Sequence, residues 1–303
     1  MPKQLKDRYL FVYILVVLAM IFWGSTFVWT KSVLSVYQPI TIITLRLLIS
    51  SVLLFAVMFF TRNWQKIQRI DYKYLLLVSF FSPFIYFLGE TYGIKNSSST
   101  VSSVIISTIP VFTAVFSTLI YKERLSKLNL LGMLISFIGV ILVITNKDFS
   151  ISLSVNGFLW LALAVASSVG YVIILRKISV KYKPVTIVAY QNSIGFVFFL
   201  PLFFIFDYKS FTSASPTTDA WLNIFLLAIF GSSLAFIFYT IGNRDIGVAK
   251  TGFLTNLIPI FTAITAFFLL DERLTLINIF GVLLTVFGVA ISQKKSNRIA
   301  QAR

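Results

Sequence analysis

Arg46 lies inside a long apolar stretch of the chain, and Glu90 lies near the end of another stretch that continues through it. A charge at the centre of a bilayer costs at least about 2.5–3.5 kcal/mol, so each must face protein, face a wet cavity or extend to the membrane surface. We expect the two side chains to approach each other or to share a polar network. The alternative is that each is interfacial and structural. Glu90 is the one good candidate for moving a proton within the membrane.

Uncharged polar and aromatic residues in similar stretches are candidates for lining a cavity that binds a small molecule. With the two charged residues, the candidate set is Trp23, Ser25, Arg46, Glu90, Thr108, Ser168, Tyr171, Gln191, Tyr239 and Asn256. Hydroxyl and amide groups orient a ligand by hydrogen bonding. Trp23 could stack on a ligand, and the alternative is a packing contact.

Two prolines, Pro110 and Pro259, lie in the middle of apolar stretches. Proline removes a helical hydrogen bond, and in lipid the freed carbonyl must find another partner. Thr108, Thr255 and Asn256 are close enough in sequence to supply one. We predict a helix kink at each proline that opens a cavity and helps the helices to move, the alternative being a static bend.

Several chemistries are excluded by residues that the sequence lacks. The chain has no Cys and no His, which removes thiol nucleophiles, disulfides and the usual zinc ligand sets. It also has no G-x-x-x-x-G-K-[ST] loop, so direct use of ATP is not expected. We therefore predict no catalytic residue, no metal site and no cofactor.

The candidate residues are carried by apolar stretches that are long enough to cross a bilayer. Apolar residues make up 58% of the 303 residues and charged residues 12%, about half the share in a soluble domain. Ten such stretches are Leu10–Thr30, Pro39–Thr61, Tyr74–Gly89, Asn96–Tyr121, Leu128–Asn146, Phe149–Leu175, Pro184–Phe206, Ala220–Asn243, Thr251–Leu270 and Leu274–Gln293. Each is apolar on all sides, which favours a helix over a barrel strand. The predicted fold is an all-α integral membrane protein with ten transmembrane helices.

The basic residues predict the orientation of these helices. With the N-terminus inside, the inner loops and termini hold 20 Lys and Arg residues and the outer loops hold 5. Cytoplasmic loops are enriched in Lys and Arg, so both termini are predicted to be cytoplasmic, in the inner (plasma) membrane. Because the net charge of +16 arises from these loops, we expect no nucleic-acid partner.

The two halves of the sequence resemble each other. Ile109–Val140 and Ile258–Val289 share 13 of 32 residues without a gap, including Pro110/Pro259 and Glu123/Glu272. We therefore divide the chain into repeats at residues 1–148 and 149–303. Each repeat has five predicted helices, and five is odd, so the second repeat enters the membrane from the opposite side. Inverted repeats of this kind are typical of secondary transporters.

Several short motifs carry a resemblance to a known family. They are Phe22-Trp23-Gly24-Ser25 with Lys31, Pro39 with Arg46, Gly89-Glu90-Thr91-Tyr92-Gly93, Ser107-Thr108-Ile109-Pro110, Lys122-Glu123-Arg124-Leu125, and the glycines of the fifth and tenth stretches. On these residues the chain resembles the drug/metabolite transporter superfamily in its EamA-type ten-helix form. The resemblance implies a central cavity lined by helices 1, 3, 4, 6, 8 and 9, with helices 5 and 10 at the periphery.

The expected function is secondary transport of small metabolites, such as amino acids, by an exporter or exchanger that works by alternating access. The expected partners are a small-molecule substrate and the lipid bilayer. A second copy of the chain, forming a homodimer, is a further possible partner. The alternatives are a non-saturable channel, or a membrane-embedded structural protein or enzyme. An enzyme would need acid, base or metal-binding groups clustered at one depth, and a channel usually needs rings of like groups.

Overall fold

The computed structural model describes residues 3–62, 64–121, 126–145 and 153–292, and the regular elements there are helices. The α-helices are Lys3–Val33 (α1), Pro39–Phe60 (α2), Tyr72–Ser79 (α3), Tyr86–Lys95 (α4), Ser99–Ile106 (α5), Ile109–Tyr121 (α6), Lys127–Ile144 (α7), Val155–Ser179 (α8), Pro184–Leu202 (α9), Tyr208–Ser213 (α10), Thr218–Leu226 (α11), Ala235–Asp245 (α12), Val248–Leu254 (α13), Ile258–Leu270 (α14) and Leu276–Ser292 (α15). Several of them are pieces of one longer membrane span.

Nine spans in the described residues are long and apolar enough to cross a membrane. They are Tyr9–Val33, Pro39–Phe60, Arg69–Lys95, Ser99–Phe116, Lys127–Ile144, Val155–Ser179, Pro184–Ser213, Thr218–Asp245 and Lys250–Leu270, numbered spans 1 to 9 here. They match the first nine predicted stretches. The tenth stretch corresponds to α15, which is apolar but shorter, with 17 residues. The chain is a multi-pass α-helical membrane protein.

Three spans contain a wider, π-helical segment. These segments are Phe80–Ile85 in span 3, Phe203–Asp207 in span 7 and Leu227–Leu234 in span 8. Single π turns inside α-helices often occur at functional sites. The segment in span 8 contains Ser232, which bonds to Arg46, and the segment in span 3 directly precedes Tyr86, which bonds to Glu90.

Spans 4 and 9 are interrupted just before their prolines. α5 ends at Ile106 before Pro110, and a 3-10 turn, Thr255–Leu257, precedes Pro259. Each proline lies in the first turn of the following helix, α6 or α14, where a missing N–H is tolerated. The Thr108 hydroxyl donates to the Ile105 carbonyl at 2.6 Å and is therefore a local hydrogen-bond partner near the break.

Helices of the first half of the chain pack directly on helices of the second half, so the two halves do not form separate bundles. α2 packs on α9, α4 on α8, and α1 on both α12 and α14. Polar side chains such as Arg46, Gln191 and Asn192 are buried between them, whereas large apolar side chains on α7 and α15, such as Leu134 and Phe287, are exposed. Exposed apolar and buried polar residues are what a bundle surrounded by lipid requires.

α7 and α15 meet along a seam of four glycines: Gly132, Gly139, Gly281 and Gly288. A Cβ atom on Gly139 would lie 2.7 Å from the Gly281 carbonyl, and one on Gly288 would lie 2.8 Å from the Gly132 carbonyl. Small residues allow membrane helices to approach this closely. Because Gly132 meets Gly288 and Gly139 meets Gly281, the two helices run antiparallel along this glycine seam.

Candidate functional site

Arg46 lies in the middle of α2 and is the largest fully buried side chain of the described residues. Its Nε donates to the Ser232 hydroxyl at 2.8 Å, and its guanidinium carbon is 4.1 Å from the centre of the Phe87 ring. A cation over an aromatic face is attracted by the ring. Within the described residues, its Nη1 atom has no hydrogen-bond partner. Arg46 therefore keeps one unused donor group inside the protein.

Glu90 lies on α4 and is also buried, at 4% exposure. Its Oε2 atom is 3.9 Å from Arg46 Nη1, which is an ion pair too long for a hydrogen bond. The Tyr86 hydroxyl, one helical turn earlier, donates to Glu90 Oε1 at 2.7 Å. The structure thus brings together the two charged residues that the sequence analysis singled out, and it places them inside the protein rather than in lipid.

The charged pair is continued by polar residues that the sequence analysis did not select. Asn192 Nδ2 donates to the Ser232 carbonyl at 2.8 Å and to the Ser50 hydroxyl at 2.7 Å. The Ser50 hydroxyl is also 2.7 Å from that of Ser233. One signal was available, since Ser50 lies four residues after Arg46 on the same helix face. The network joins α2, α4, α9 and the π segment of span 8.

Aromatic rings surround Phe236 of α12 next to this network. Trp23 lies 5.1 Å from Phe236 between ring centres, while Phe87 and Tyr171 each lie 6.2 Å away. Trp23 also contacts Tyr239 at 5.0 Å. These rings come from spans 1, 3, 6 and 8, so the aromatic cluster connects both halves. Phe87 contacts both Arg46 and Phe236 and links the aromatic cluster to the charged pair.

Several polar side chains beside the aromatic cluster lack hydrogen bonds. The Tyr171 hydroxyl approaches the Gln191 amide, and the Tyr239 hydroxyl approaches the Asn243 amide, but neither approach is aligned as a hydrogen bond. In the described residues, the Tyr171 hydroxyl and both amide atoms of Gln191 and of Asn243 have no partner in hydrogen-bond geometry. A buried polar atom without a partner costs about 1–3 kcal/mol. Such atoms in one place require an explanation, and a bound ligand is one.

The remaining candidates are placed differently. The Ser25 hydroxyl donates to Ile21 on its own helix at 3.0 Å, as Thr108 does to Ile105, so both are satisfied locally. Ser168 is buried in α8, and Asn256 is buried in the 3-10 turn of span 9 with both amide atoms unpartnered among the described residues. Nothing described connects Asn256 to the Arg46 pair, so the ten candidates do not form one cluster.

No grouping of His, Cys, Asp and Glu residues that could hold a metal ion occurs in the described ranges. The carboxylates there are used individually: Glu90 pairs with Arg46, and Asp71 pairs with Lys181 at 3.1 Å. In the loop after α8, Tyr182 is buried and donates to Asp71 at 2.7 Å, and burial raises the pKa of the Tyr182 hydroxyl. This arrangement ties the segment before α3 to the loop before α9.

Comparison with known proteins identifies the family. The model of the EamA-like transporter family matches residues 10–145 and 155–293. An "uncharacterized transporter" of Archaeoglobus fulgidus is 26% identical over 298 residues, covering 94% of this chain and 98% of that protein. The "uncharacterized transporter YetK" of Bacillus subtilis is 24% identical, covering 84% of this chain and 78% of its own length.

A solved structure shares the fold. It is described only as the crystal structure of a protein, has a TM-score of 0.71 and 16% sequence identity, and covers 93% of this chain and 97% of its own. The family match extends over almost the whole chain, and the relatives are transporters by name. The chain belongs to the EamA-like transporter family of the drug/metabolite transporter superfamily, and it is a membrane transporter rather than an enzyme.

Proposed function

We propose that this transporter is a secondary carrier that moves small metabolites, such as amino acids, across the cytoplasmic membrane by alternating access, as an exporter or exchanger. The observation that carries the proposal is the set of buried polar groups of Tyr171, Gln191 and Asn243 beside the aromatic cluster, which have no aligned hydrogen-bond partner among the described residues. A substrate with matching donors and acceptors would satisfy these groups, and its apolar part would contact the rings.

Burial of the candidate residues favours a carrier over a channel. Gln191 is fully buried, and Tyr171 and Tyr239 are 4% and 6% exposed. A channel pore keeps its lining groups in contact with water or ions, whereas a carrier encloses its site during part of each cycle. The described conformation therefore fits an enclosed site between the two halves.

The contacts between helices support the proposed inverted repeat at residues 1–148 and 149–303. In the proposed repeat, spans 1 to 5 correspond in order to spans 6 to 9 and α15. The contact of α4 (span 3) with α8 (span 6) then corresponds to the contact of α12 (span 8) with α1 (span 1). The α2–α9 and α7–α15 contacts each join a helix to its own counterpart. Two halves related in this way can exchange conformations of similar energy, which is what alternating access needs.

The proposed location is the plasma membrane, with both termini in the cytoplasm. The 20-to-5 division of Lys and Arg residues between the two sides supports this orientation. The substrate gradient or exchange would drive transport. Glu90 is the candidate for proton coupling, because it is the buried carboxylate that pairs with Arg46.

The test of the proposed function is counterflow in proteoliposomes. Purified protein is reconstituted with one unlabelled compound inside, from a panel of amino acids, nucleosides and amphipathic metabolites, and the labelled compound is added outside. A carrier gives transient, saturable accumulation for at least one class of compound. Uptake that rises linearly with concentration and shows no counterflow would instead identify a channel.

A substitution at Gln191 separates binding from stability. We expect Gln191→Leu to lower the counterflow rate about ten-fold, because a substrate loses its hydrogen bonds to the amide. The same change should leave the melting temperature unchanged or raise it, because the amide has no partner within the described protein. Ser193→Ala is the control on the same helix, since among the described residues that hydroxyl donates to the Ala189 carbonyl of its own helix. A loss of both stability and transport in Gln191→Leu would mean that the amide is structural.

A further inference from the structure

Glu272 joins the two halves at one end of the bundle. It follows α14, and its Oε1 accepts a hydrogen bond from the Ser99 N–H at 2.9 Å. Its Oε2 accepts from the Thr100 N–H at 3.3 Å and from the Thr100 hydroxyl at 2.9 Å. These are groups in the first turn of α5, which a carboxylate caps favourably. The cap is supplied from 173 residues away in the sequence.

The backbone around Glu272 directs its side chain toward α5. The preceding residue, Asp271, has a left-handed conformation with φ 52°, which ends α14 and turns the chain. Asp is one of the few residues other than glycine that adopt this conformation readily. The Glu272 N–H then donates to the Ala266 carbonyl at 3.2 Å and fixes the turn.

Lys31 makes a second connection at the same end. Its Nζ donates to the Ile94 carbonyl at 2.9 Å and to the Ser97 carbonyl at 2.5 Å. These carbonyls lie at and just beyond the C-terminus of α4, where a cation is favourable. The end of α1, the end of α4, the start of α5 and the segment after α14 are thus held together. We call this end of the bundle the Lys31 end.

The helices of spans 4 and 9 pack differently at the two ends. At the Lys31 end, α5 packs on α14. At the opposite end the same spans continue as α6 and α13, and between the described residues of these two helices there is no comparable packing. The described conformation is therefore closed between spans 4 and 9 at the Lys31 end, where α5 packs on α14, and the described parts of α6 and α13 show no comparable packing.

We propose that Glu272 and Lys31 form a latch that holds the Lys31 end closed and that must open once in each transport cycle. This inference rests on the proposed alternating-access function. Opening separates α5 from α14, which removes the cap from Ser99 and Thr100. Both of these residues are fully buried, but Glu272 is partly exposed. Water can therefore reach the carboxylate and replace its hydrogen bonds, so the latch is reversible.

An open groove lies beside the latch. It has a volume of about 570 Å³ and is lined by residues that include Trp29, Lys31, Asp219, Asn223 and Leu270. Because Lys31 lines the groove and also donates to the Ile94 and Ser97 carbonyls, the groove borders the latch on the Lys31 side.

The test uses the absence of cysteine from the natural sequence. Ser102→Cys places a thiol on α5 at a fully buried position behind the latch. A membrane-impermeant maleimide is added from the Lys31 end in oriented vesicles, with Ser35→Cys, an exposed position at that end, as the reference for full access. The labelling rate of Ser102→Cys then measures how often the Lys31 end opens, with no need to know the substrate.

We expect Glu272→Gln to raise the labelling rate of Ser102→Cys about ten-fold, because the charge-assisted cap is lost. Lys31→Gln should act in the same direction. Asp271→Asn is the matched control, since it removes one negative charge from the adjacent residue, tolerates the left-handed conformation and should leave the rate unchanged. Should Glu272→Gln fail to fold, Thr100→Val removes only the hydroxyl bond and should raise the rate about three-fold.

The outcomes separate the latch from the carrier function. An unchanged labelling rate in folded Glu272→Gln and Thr100→Val overturns the latch, whatever the protein transports. Equal increases in Glu272→Gln and Asp271→Asn overturn it too, because loop charge alone would then explain the effect. A selective increase in Glu272→Gln supports the latch, and the counterflow assay on the parent protein then decides independently whether opening serves transport.

Discussion

Glu90→Gln is expected to destabilise the folded transporter by about 3–5 kcal/mol and to abolish counterflow. The substitution leaves Arg46 inside the protein without a counter-charge, and breaking a buried ion pair on one side costs this much. Arg46 cannot reach water easily, since it is 1% exposed and held by Ser232 and Phe87. The measurement is the melting temperature of the purified protein in detergent, together with counterflow of the parent's substrate.

A double substitution distinguishes the lost charge pair from a general disturbance. In Arg46→Met/Glu90→Gln no charge is left unpaired, and we expect most of the lost stability to return. Counterflow should stay absent if the pair contacts substrate. The exposed carboxylate change Asp271→Asn is the control for loss of a negative charge. Arg46→Met and Glu90→Gln are also measured as single variants. If their destabilisations simply add in the double variant, the two side chains do not interact.

Gly139→Leu is expected to prevent assembly of the bundle. Even the first atom of a side chain at this position would lie 2.5 Å from the Thr285 nitrogen and 2.7 Å from the Gly281 carbonyl, both of them backbone atoms. Backbone cannot give way as a flexible side chain can, so α7 and α15 must separate. The measurement is the yield of monodisperse protein in size-exclusion chromatography after detergent extraction, which we expect to fall at least ten-fold.

The neighbouring position supplies the control for the glycine seam. Ile138 precedes Gly139 on α7 and is 53% exposed, so Ile138→Phe adds volume on the face that points away from α15. We expect the parent yield for this variant. A normal yield for Gly139→Leu would mean that α7 and α15 do not need to be in close contact for folding.

The positions of the spans and the meeting of Arg46 with Glu90 followed from simple physical rules. Long apolar stretches must be helical in lipid, which predicted the nine described spans, with ends that differ by up to about seven residues. A charge in lipid needs a partner, and only two charges were available inside these stretches. The prolines likewise indicated where spans 4 and 9 are interrupted, because a proline cannot continue the hydrogen-bonded helix.

Other parts of the site depend on packing that a sequence does not reveal. Arg46 and Ser232 are 186 residues apart, and only the crossing of α2 with span 8 brings them within 2.8 Å. The π segments were not predicted either. These stretches are apolar on all sides, so an extra residue in one turn does not show in the pattern. The contacts of Lys31 and Glu272 were not predicted, because most of their partners are backbone groups that every sequence contains.

The glycine seam also bears on how such a chain could arise. In the sequence repeat, Gly132 corresponds to Gly281 and Gly139 to Gly288. Gly132 touches Gly288 while Gly139 touches Gly281, so the contact is reciprocal under exchange of the two halves. A reciprocal contact is the form that a two-fold symmetric dimer of one five-helix chain would have. In such an ancestor one mutation would alter both contacts at once, whereas after gene fusion each glycine can diverge alone.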